Sequence, residues 1–137
     1  MHRKRFPGQF GSLVAISEYI IQAAKQAGLD DSQVYEVQLA VDEAATNIIE
    51  HAYHDTDKGV IECSYEILPN GIKVILVDQG KSFDPDDVPE PIFTTDIDEV
   101  KPRGLGIFIM RKVMDEVRFD ISSGGKNTLT MVKYAKK

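Results

Sequence analysis

The repeat length of the apolar residues changes along this chain, and that change limits the folds it can adopt. In residues 11–27 and 34–48 apolar side chains recur every three or four positions, which predicts two amphipathic helices. From residue 60 they alternate with polar side chains, which predicts a strand with one wet face. The two helical stripes are Leu13, Ile16, Ile20, Ala24 and Ala27, then Val34, Val37, Val41, Ala44 or Ala45, and Ile48; the strand has Ile61, Cys63, Tyr65 and Ile67.

Turn and capping residues separate these elements. Gly28 suits a left-handed cap on the first helix, and Asp30 to Ser32 offer acceptors to the N–H groups of the second, which we expect to end near His51. The tight-turn residues 69–71 predict an antiparallel hairpin. The predicted later elements are strands Val60–Ile67 and Ile72–Val77, a helix over Gly104–Asp115 with Leu105, Phe108 and Val113 or Met114 in the core, and a hairpin of Val117–Ile121 with Thr128–Tyr134.

The order of elements favours an α+β fold, with helices layered on one face of a mostly antiparallel sheet. Residues 79–103 contain four prolines and have no regular pattern. A loop of that length inside a compact domain is usually functional or disordered.

Length and composition favour one soluble domain over residues 1–137. The sequence is 42% hydrophobic and 28% charged, and it has no apolar run near the roughly 20 residues of a membrane span. The net charge of −6 argues against a nucleic-acid binder, and we interpret the basic runs at residues 3–5 and 133–137 as solubilising termini. The single cysteine, Cys63, excludes an internal disulfide and fits a cytoplasmic location.

The second helix carries a polar face whose residue types are informative. Glu43, Asn47, Glu50 and His51 follow one another at helical spacing, so they share one side of the helix. Such a face is ordinarily the solvent-exposed side. A carboxylate one turn from a carboxamide also offers oxygen ligands for Mg²⁺ and a base, which suits phosphate chemistry.

Two further segments are candidate binding elements. Asp78 follows a buried strand and can accept a hydrogen bond from an amino group, and Gly80 allows a flat ring to approach the backbone; both are also ordinary turn residues. Residues 103–106 place Gly104 and Gly106 before a predicted helix, where free N–H groups favour an anion, although a flexible helix entry explains them equally well.

A zinc site is a weaker alternative. His51 and His54 are three residues apart and Cys63 is near them in sequence, but no fourth cysteine or histidine is well placed.

Three blocks in one order resemble the N, G1 and G2 boxes of the gyrase, histidine-kinase and MutL ATPase superfamily. Within it, the chain is most similar to the bacterial anti-sigma-factor serine kinases, over nearly its whole length. The blocks are Glu43-Ala44-Ala45-Thr46-Asn47, Asp78-Gln79-Gly80-Lys81-Ser82-Phe83 and Arg103-Gly104-Leu105-Gly106-Ile107, and residues 39–53, 91–95 and 104–117 add to the similarity.

This resemblance implies a Bergerat fold, a two-layer α/β sandwich with a mixed, mostly antiparallel sheet that binds ATP between helices and lid. It implies that Asn47 ligates Mg²⁺ and that Glu43 is the general base toward a protein hydroxyl. It implies that Asp78 accepts from the adenine amino group beside Gly80. The other nucleotide-binding residues implied are Phe83, Arg103, Gly104, Leu105, Gly106 and Thr128.

Two departures from the family pattern concern the adenine and phosphate positions. Asn127 stands where a glycine is expected before Thr128; asparagine tolerates left-handed backbone better than most residues. In the lid, Lys101 and Arg103 flank a proline, and the sequence leaves open which of them contacts the γ-phosphate.

The resemblance predicts a serine/threonine protein kinase that phosphorylates a small anti-sigma-factor antagonist, binds a sigma factor and forms a homodimer. One alternative is an ATP-binding module that only sequesters its partner, since binding and transfer use nearly the same residues. Another is the ATP-binding half of a histidine kinase, although the chain lacks room for a phosphoacceptor helix pair.

Overall fold

The computed structural model describes residues 1–52, 59–79, 102–122 and 125–136, with the backbone alone at residues 51–52 and 102–105. These residues form an α+β sandwich in which helices cover one face of a five-stranded sheet. The buried residues of the helices and of the inner sheet face make one hydrophobic core.

The first two helices form where the sequence predicts them. A short 3₁₀ turn, Phe10–Ser12, leads into α1, Leu13–Gln26. Gly28 then adopts a φ of 82°, which is the left-handed conformation that glycine accepts at no steric cost. α2, Asp31–Asn47, begins with a capping box in which Gln33 N–H donates to Asp30 Oδ1 at 2.8 Å. It continues as a π-helical turn, Ile48–Ala52.

The described part of the chain contains five strands: β1, His2–Pro7; β2, Val60–Leu68; β3, Gly71–Asp78; β4, Glu116–Ile121; and β5, Asn127–Tyr134. Their order across the sheet is β1-β2-β3-β5-β4. All four pairings are antiparallel, whereas the resemblance implied a mixed sheet with some parallel pairing. Both predicted hairpins are present, and β3 and β5 lie side by side at the centre.

The basic N-terminus is part of the sheet, so the interpretation of residues 3–5 as a solubilising terminus was wrong. β1 pairs with β2 along six residues, and Phe6 is buried. On the outer face Arg3 Nε contacts Glu62 Oε1 at 2.9 Å, and on the inner face Lys4 lies over the rings of Phe6 and Tyr19. These side chains are exposed and keep their charges in water, beside a carboxylate or over an aromatic ring.

The basic C-terminal run also has a structural part. Lys133 is buried on β5, and its Nζ donates to the carbonyl oxygen of Val113 at 2.6 Å and lies 3.4 Å from Glu36 Oε1. Gln33 Nε2 donates to the carbonyl oxygen of Tyr134 at 2.7 Å. These bonds join the start of α2 and the last turn of the third helix to β5.

The third helix, α3, spans Pro102–Val113 and so begins two residues before the predicted start. Ile107 and Met110 of α3 are buried, and so is Met114 just after its end, so Met114 is confirmed in the core. Phe108 was predicted there and is only half-buried, with Lys112 Nζ over its ring. α3 packs along α2, and this contact builds one wall of the site.

Candidate active site

The polar face of α2 is partly covered by α3, so it is not simply the solvent-exposed side of the helix. Asn47 is 6% exposed, and Glu43 is half-buried. A Cβ atom placed on Gly106 of α3 would lie 3.0 Å from Glu43 Oε2 and 3.1 Å from Asn47 Nδ2. Only a residue without a side chain lets α3 lie this close, so Glu43, Asn47 and Gly106 form one contact.

The electrostatic surroundings of Glu43 favour a proton acceptor. Burial raises the pKa of the Glu43 carboxyl, and the negative charges of Asp42 and Glu50 raise it further. A carboxylate with a raised pKa holds a transferred proton more firmly than an ordinary one does. Glu43 therefore combines a raised pKa with a position beside Asn47 and Gly106.

Asn47 has an unusual environment for a buried amide. Its Nδ2 atom finds no hydrogen-bond partner among residues 1–52, 59–79, 102–122 and 125–136. A buried polar group without a partner is costly, and such groups often mark a place where a ligand binds. The unpartnered NH₂ group suits an acceptor such as a phosphate oxygen. The carboxamide oxygen of the same side chain is a ligand that Mg²⁺ accepts, so Asn47 fits the metal-binding position that the resemblance implies.

The sheet supplies the opposite side of the site through the ends of β3 and β5. Asp78 is the last residue of β3 and is 6% exposed, and the register places it opposite Asn127, the first residue of β5. Asn127 Nδ2 donates to Asp78 Oδ1 at 2.9 Å. The buried Asp78 carboxylate is thus held by Asn127, which stands where the family pattern has a glycine.

A cavity lies between α2, α3 and the ends of these strands. The empty space there, which includes space open to solvent, is about 510 Å³. Its polar lining includes Asn47, Asp78, Asn127 and Thr128, while Ala44, Met110 and Leu129 provide apolar walls. A flat base with one polar edge suits such a pocket.

The cavity and the α2–α3 contact share Asn47. Glu43 and Gly106 meet Asn47 on one side, and Asp78 and Thr128 line the cavity with it on the other. The structure therefore brings together residues from all three sequence blocks, which are far apart in the chain.

The remaining predicted residues are only partly described. Gly80, Phe83 and Lys101 lie outside the described residues, as does most of the predicted lid. The backbone of Arg103, Gly104 and Leu105 is in the first turn of α3, whose N–H groups have no acceptor within the helix. Gly106 is the fifth residue of α3, where an N–H regularly bonds within the helix, so its described contact is packing and not the predicted free donor.

The zinc alternative gains no support in the part of the chain that the structure describes. No group of three or more His, Cys, Asp and Glu side chains with metal-binding geometry occurs there. Cys63 is fully buried on β2, and burial raises the pKa of its thiol to about 12. His54 and the His51 side chain are outside the described residues.

In the described part, no helix has the length and apolarity to cross a bilayer.

Sequence reasoning missed two parts of the site. The sequence predicted only that Asn127 tolerates a left-handed backbone, whereas its side chain bonds Asp78. Gly125, among the described residues of the same hairpin, has a left-handed φ of 83°. The available signal was the pairing of the two strand ends, which places the Asn127 amide across from Asp78. Met110 was missed because helical spacing alone cannot distinguish a cavity wall from the core.

Comparisons with known proteins agree with this geometry. Residues 6–133 match the family model of the histidine kinase-like ATPase domain. The serine-protein kinase RsbW of Staphylococcus aureus strain JH9 is 37% identical over 117 residues, which cover 82% of this chain and 72% of the relative. RsbW of Bacillus velezensis is 34% identical over 115 residues, with 81% and 71% covered.

Solved structures support the fold at lower sequence identity. The RsbU and RsbW domains of Rv1364c from Mycobacterium tuberculosis superpose with a TM-score of 0.63 at 15% identity, covering 98% of this chain and 32% of that one. The mycobacterial sensor histidine kinase MprB gives a TM-score of 0.57 at 14% identity, with 98% and 99% covered. The catalytic domain of the histidine kinase ThkA gives 0.56 at 15%, with 98% and 96% covered.

Proposed function

The chain belongs to the histidine kinase-like ATPase family and, within it, to the RsbW serine-protein kinases, and we propose that it phosphorylates a small anti-sigma-factor antagonist protein on serine or threonine. The observation that carries the proposal is the meeting of Glu43, Asn47 and Gly106 beside a cavity lined by Asp78 and Thr128. We also propose a cytoplasmic homodimer that sequesters a sigma factor.

In this proposal the cavity holds the adenine of ATP. Asp78 accepts a hydrogen bond from the exocyclic amino group, and Thr128 lies beside it on β5. The apolar side chains of Met110 and Leu129 exclude water from the faces of the ring. Gly80 and Phe83 complete the base site, as the family resemblance implies.

The phosphates then extend toward the α2–α3 contact. Asn47 is the residue that would hold Mg²⁺, which supplies neutralisation of phosphate charge when it is bound. Gly104 and Leu105, in the first turn of α3, offer backbone N–H groups to the anion, and Arg103 offers a positive charge. Gly106 keeps α3 against Glu43 and Asn47.

Glu43 accepts the proton of the attacking hydroxyl. As the hydroxyl oxygen forms its bond to the γ-phosphorus, the bond to the leaving oxygen of ADP breaks, and the hydroxyl proton passes to the Glu43 carboxylate, directly or through one water. The raised pKa of Glu43 suits this role because the carboxylate binds that proton more firmly.

The decisive experiment is a transfer assay with purified protein, Mg²⁺, γ-labelled ATP and the purified antagonist. We expect acid-stable phosphoserine or phosphothreonine on the antagonist. The Glu43→Gln variant should transfer about 10²- to 10⁴-fold more slowly, the usual contribution of a general base, and should still bind ATP.

Three outcomes would contradict the proposal. No label on an antagonist that is shown to bind the protein would leave an ATP-dependent sequestering module as the function. Acid-labile label would point instead to transfer onto histidine. Intact partner regulation by Glu43→Gln in cells would likewise show that regulation works without transfer.

A further inference from the structure

Asn127 provides a contact that the family resemblance does not account for. The sequence places asparagine where the family pattern has glycine, and glycine has no side chain to make this contact. Asn127 Nδ2 lies 2.9 Å from Asp78 Oδ1, across the central pair of strands. An ionised carboxylate only accepts hydrogen bonds, so the amide must present its NH₂ group to Asp78.

The Asp78 carboxylate is buried, so it depends on hydrogen bonds from neighbouring protein groups. Asp78 is 6% exposed, and a buried carboxylate needs hydrogen bonds to replace those it made with water. Bonds to an ionised acceptor are roughly twice as strong as neutral ones. A β-strand backbone carries each of the two side chains, so the bond restricts rotation of the Asp78 carboxylate.

The restriction matters because both residues line the same cavity. A carboxylate that can rotate can turn away from an acceptor on a ligand or take a water between them. A carboxylate held on one side cannot make that adjustment. A site of this kind favours a ligand with a donor at that point and rejects one with an acceptor, since the buried oxygen then faces another oxygen.

We propose that Asn127 is a positioning residue that sets base specificity, by holding the Asp78 carboxylate toward a 6-amino purine and against a 6-oxo purine. This inference rests on the proposed function, in which Asp78 binds the base. Asn127 acts through Asp78, so its effect is on discrimination between bases and not on the phosphates.

The test compares the Kd values of ATP and ITP, which carry the same triphosphate and differ at the purine 6-position. Both are titrated with Mg²⁺ by calorimetry. For Asn127→Gly we expect the ratio of the ITP Kd to the ATP Kd to fall on the order of tenfold, the value of one bond to a charged group. ATP should bind more weakly and ITP no more weakly than in the wild type.

A matched control is available in the β2–β3 turn. Asn70 is exposed, and its backbone carbonyl oxygen accepts a hydrogen bond from Ala135 N–H. The Asn70→Gly exchange changes the same chemical group and should leave the ratio unchanged. In an Asp78→Ala background, adding Asn127→Gly should also leave the ratio unchanged, because the residue through which Asn127 acts is gone.

Asn127→Asp is a second variant, used in case the glycine variant does not fold. The aspartate side chain has the same shape as asparagine. Near pH 8 its new carboxylate repels Asp78, and the ratio should fall as in Asn127→Gly. Toward pH 5.5 the facing carboxyls share a proton, because a neighbouring negative charge raises the pKa of one of them. The protonated carboxyl then donates to Asp78, and the ratio should recover, while the wild-type ratio stays constant.

The outcomes separate this inference from the function beneath it. If the folded variants bind ATP and keep the wild-type ratio, Asn127 does not set specificity, although the ATP site stands. If Asn127→Asp shows no recovery at low pH, the donor role is overturned. If the wild-type protein binds neither nucleotide, the proposed function fails and the inference fails with it.

Discussion

Glu43 lies among carboxylates on α2, and its ionisation reflects that crowding. Burial, then the charges of Asp42 and Glu50, raise its pKa above the ordinary value of 4.5. Burial also raises the pKa of Asp42, while the Ser17 hydroxyl acts in the opposite direction. A base at this position gains proton affinity at the expense of stability, as is common at functional sites.

The Glu43→Gln exchange is expected to stabilise the fold at neutral pH. The folded protein binds the Glu43 proton more firmly than the unfolded chain does, so ionised Glu43 destabilises the fold above its raised pKa. That cost disappears as the pH falls below 4.5. We expect a gain in Tm of about 1–3 °C at pH 7.5, since solvent screens a half-buried group, and none near pH 4.

The matched control for this measurement is Glu18→Gln. Glu18 is exposed on α1, and its replacement removes the same charge without entering the α2 cluster. Thermal unfolding at both pH values should show no change for it. An equal gain in the control would mean that net charge, and not the surroundings of Glu43, is responsible.

At the scale of elements, the packing of α3 on α2 positions the proposed base and metal ligand. Gly106 is the point of closest approach, because a Cβ there would lie 3.0 Å from Glu43 Oε2 and 3.1 Å from Asn47 Nδ2. Both atoms are at the ends of side chains. An added methyl group therefore displaces the functional atoms themselves by a few tenths of an ångström, while the helix backbones stay in place.

Gly106→Ala should separate activity from stability. Alanine favours a helix over glycine by about 1 kcal/mol, which offsets the cost of moving two side-chain ends. We expect a free energy of unfolding within about 1 kcal/mol of the wild type, and phosphotransfer roughly tenfold slower or worse, because reacting groups tolerate little displacement.

Gly11→Ala is the control for Gly106→Ala. Gly11 is also in a helical turn, and nothing lies within 4 Å of a Cβ placed there. Denaturant unfolding and the transfer assay should find it near wild type. Wild-type transfer by a folded Gly106→Ala protein would show that this close packing does not position the site.

The elements with a clear repeat were predictable from sequence, and those without one were not. α1, α2 and the strands after residue 60 follow their apolar periodicity, because each buries one face in the core. β1 was missed because it is an edge strand with charged side chains such as Lys4 and Arg5 on both faces. Its sequence therefore lacks the alternation of apolar and polar residues that predicts a strand. The start of α3 was misplaced because the glycines were interpreted as a helix entry.

Part of the site could be predicted for a different reason. The proposed roles of Glu43, Asn47 and Asp78 depend on the functional group of each side chain, so a family pattern in the sequence can identify them. The bond between Asp78 and Asn127 depends on the register between β3 and β5, which adds contacts that no local pattern contains.

At the scale of the whole molecule, the net charge leads us to expect that nucleotide binding depends on Mg²⁺. The chain has a net charge of −6, and Glu43 and Glu50 add negative charge near the proposed phosphate positions. A free triphosphate carries the same sign, and like charges at these distances repel unless they are screened or neutralised. Mg²⁺ reduces the charge of the triphosphate, so under the proposed function we expect this surface to accept the complex and not free ATP.

We therefore expect Mg²⁺-ATP to stabilise the fold and EDTA to remove most of that gain. At a hundredfold excess of ligand over its Kd, a ligand that binds only the folded state contributes about 2.7 kcal/mol. Without Mg²⁺ the gain should be much smaller at low salt and should partly return as salt screens the repulsion. Thermal unfolding with ATP, with and without EDTA, measures both effects. Asp78→Ala should reduce the gain in every condition because the base contact is gone. An equal gain in EDTA at low salt would contradict the role of Asn47 as a metal ligand.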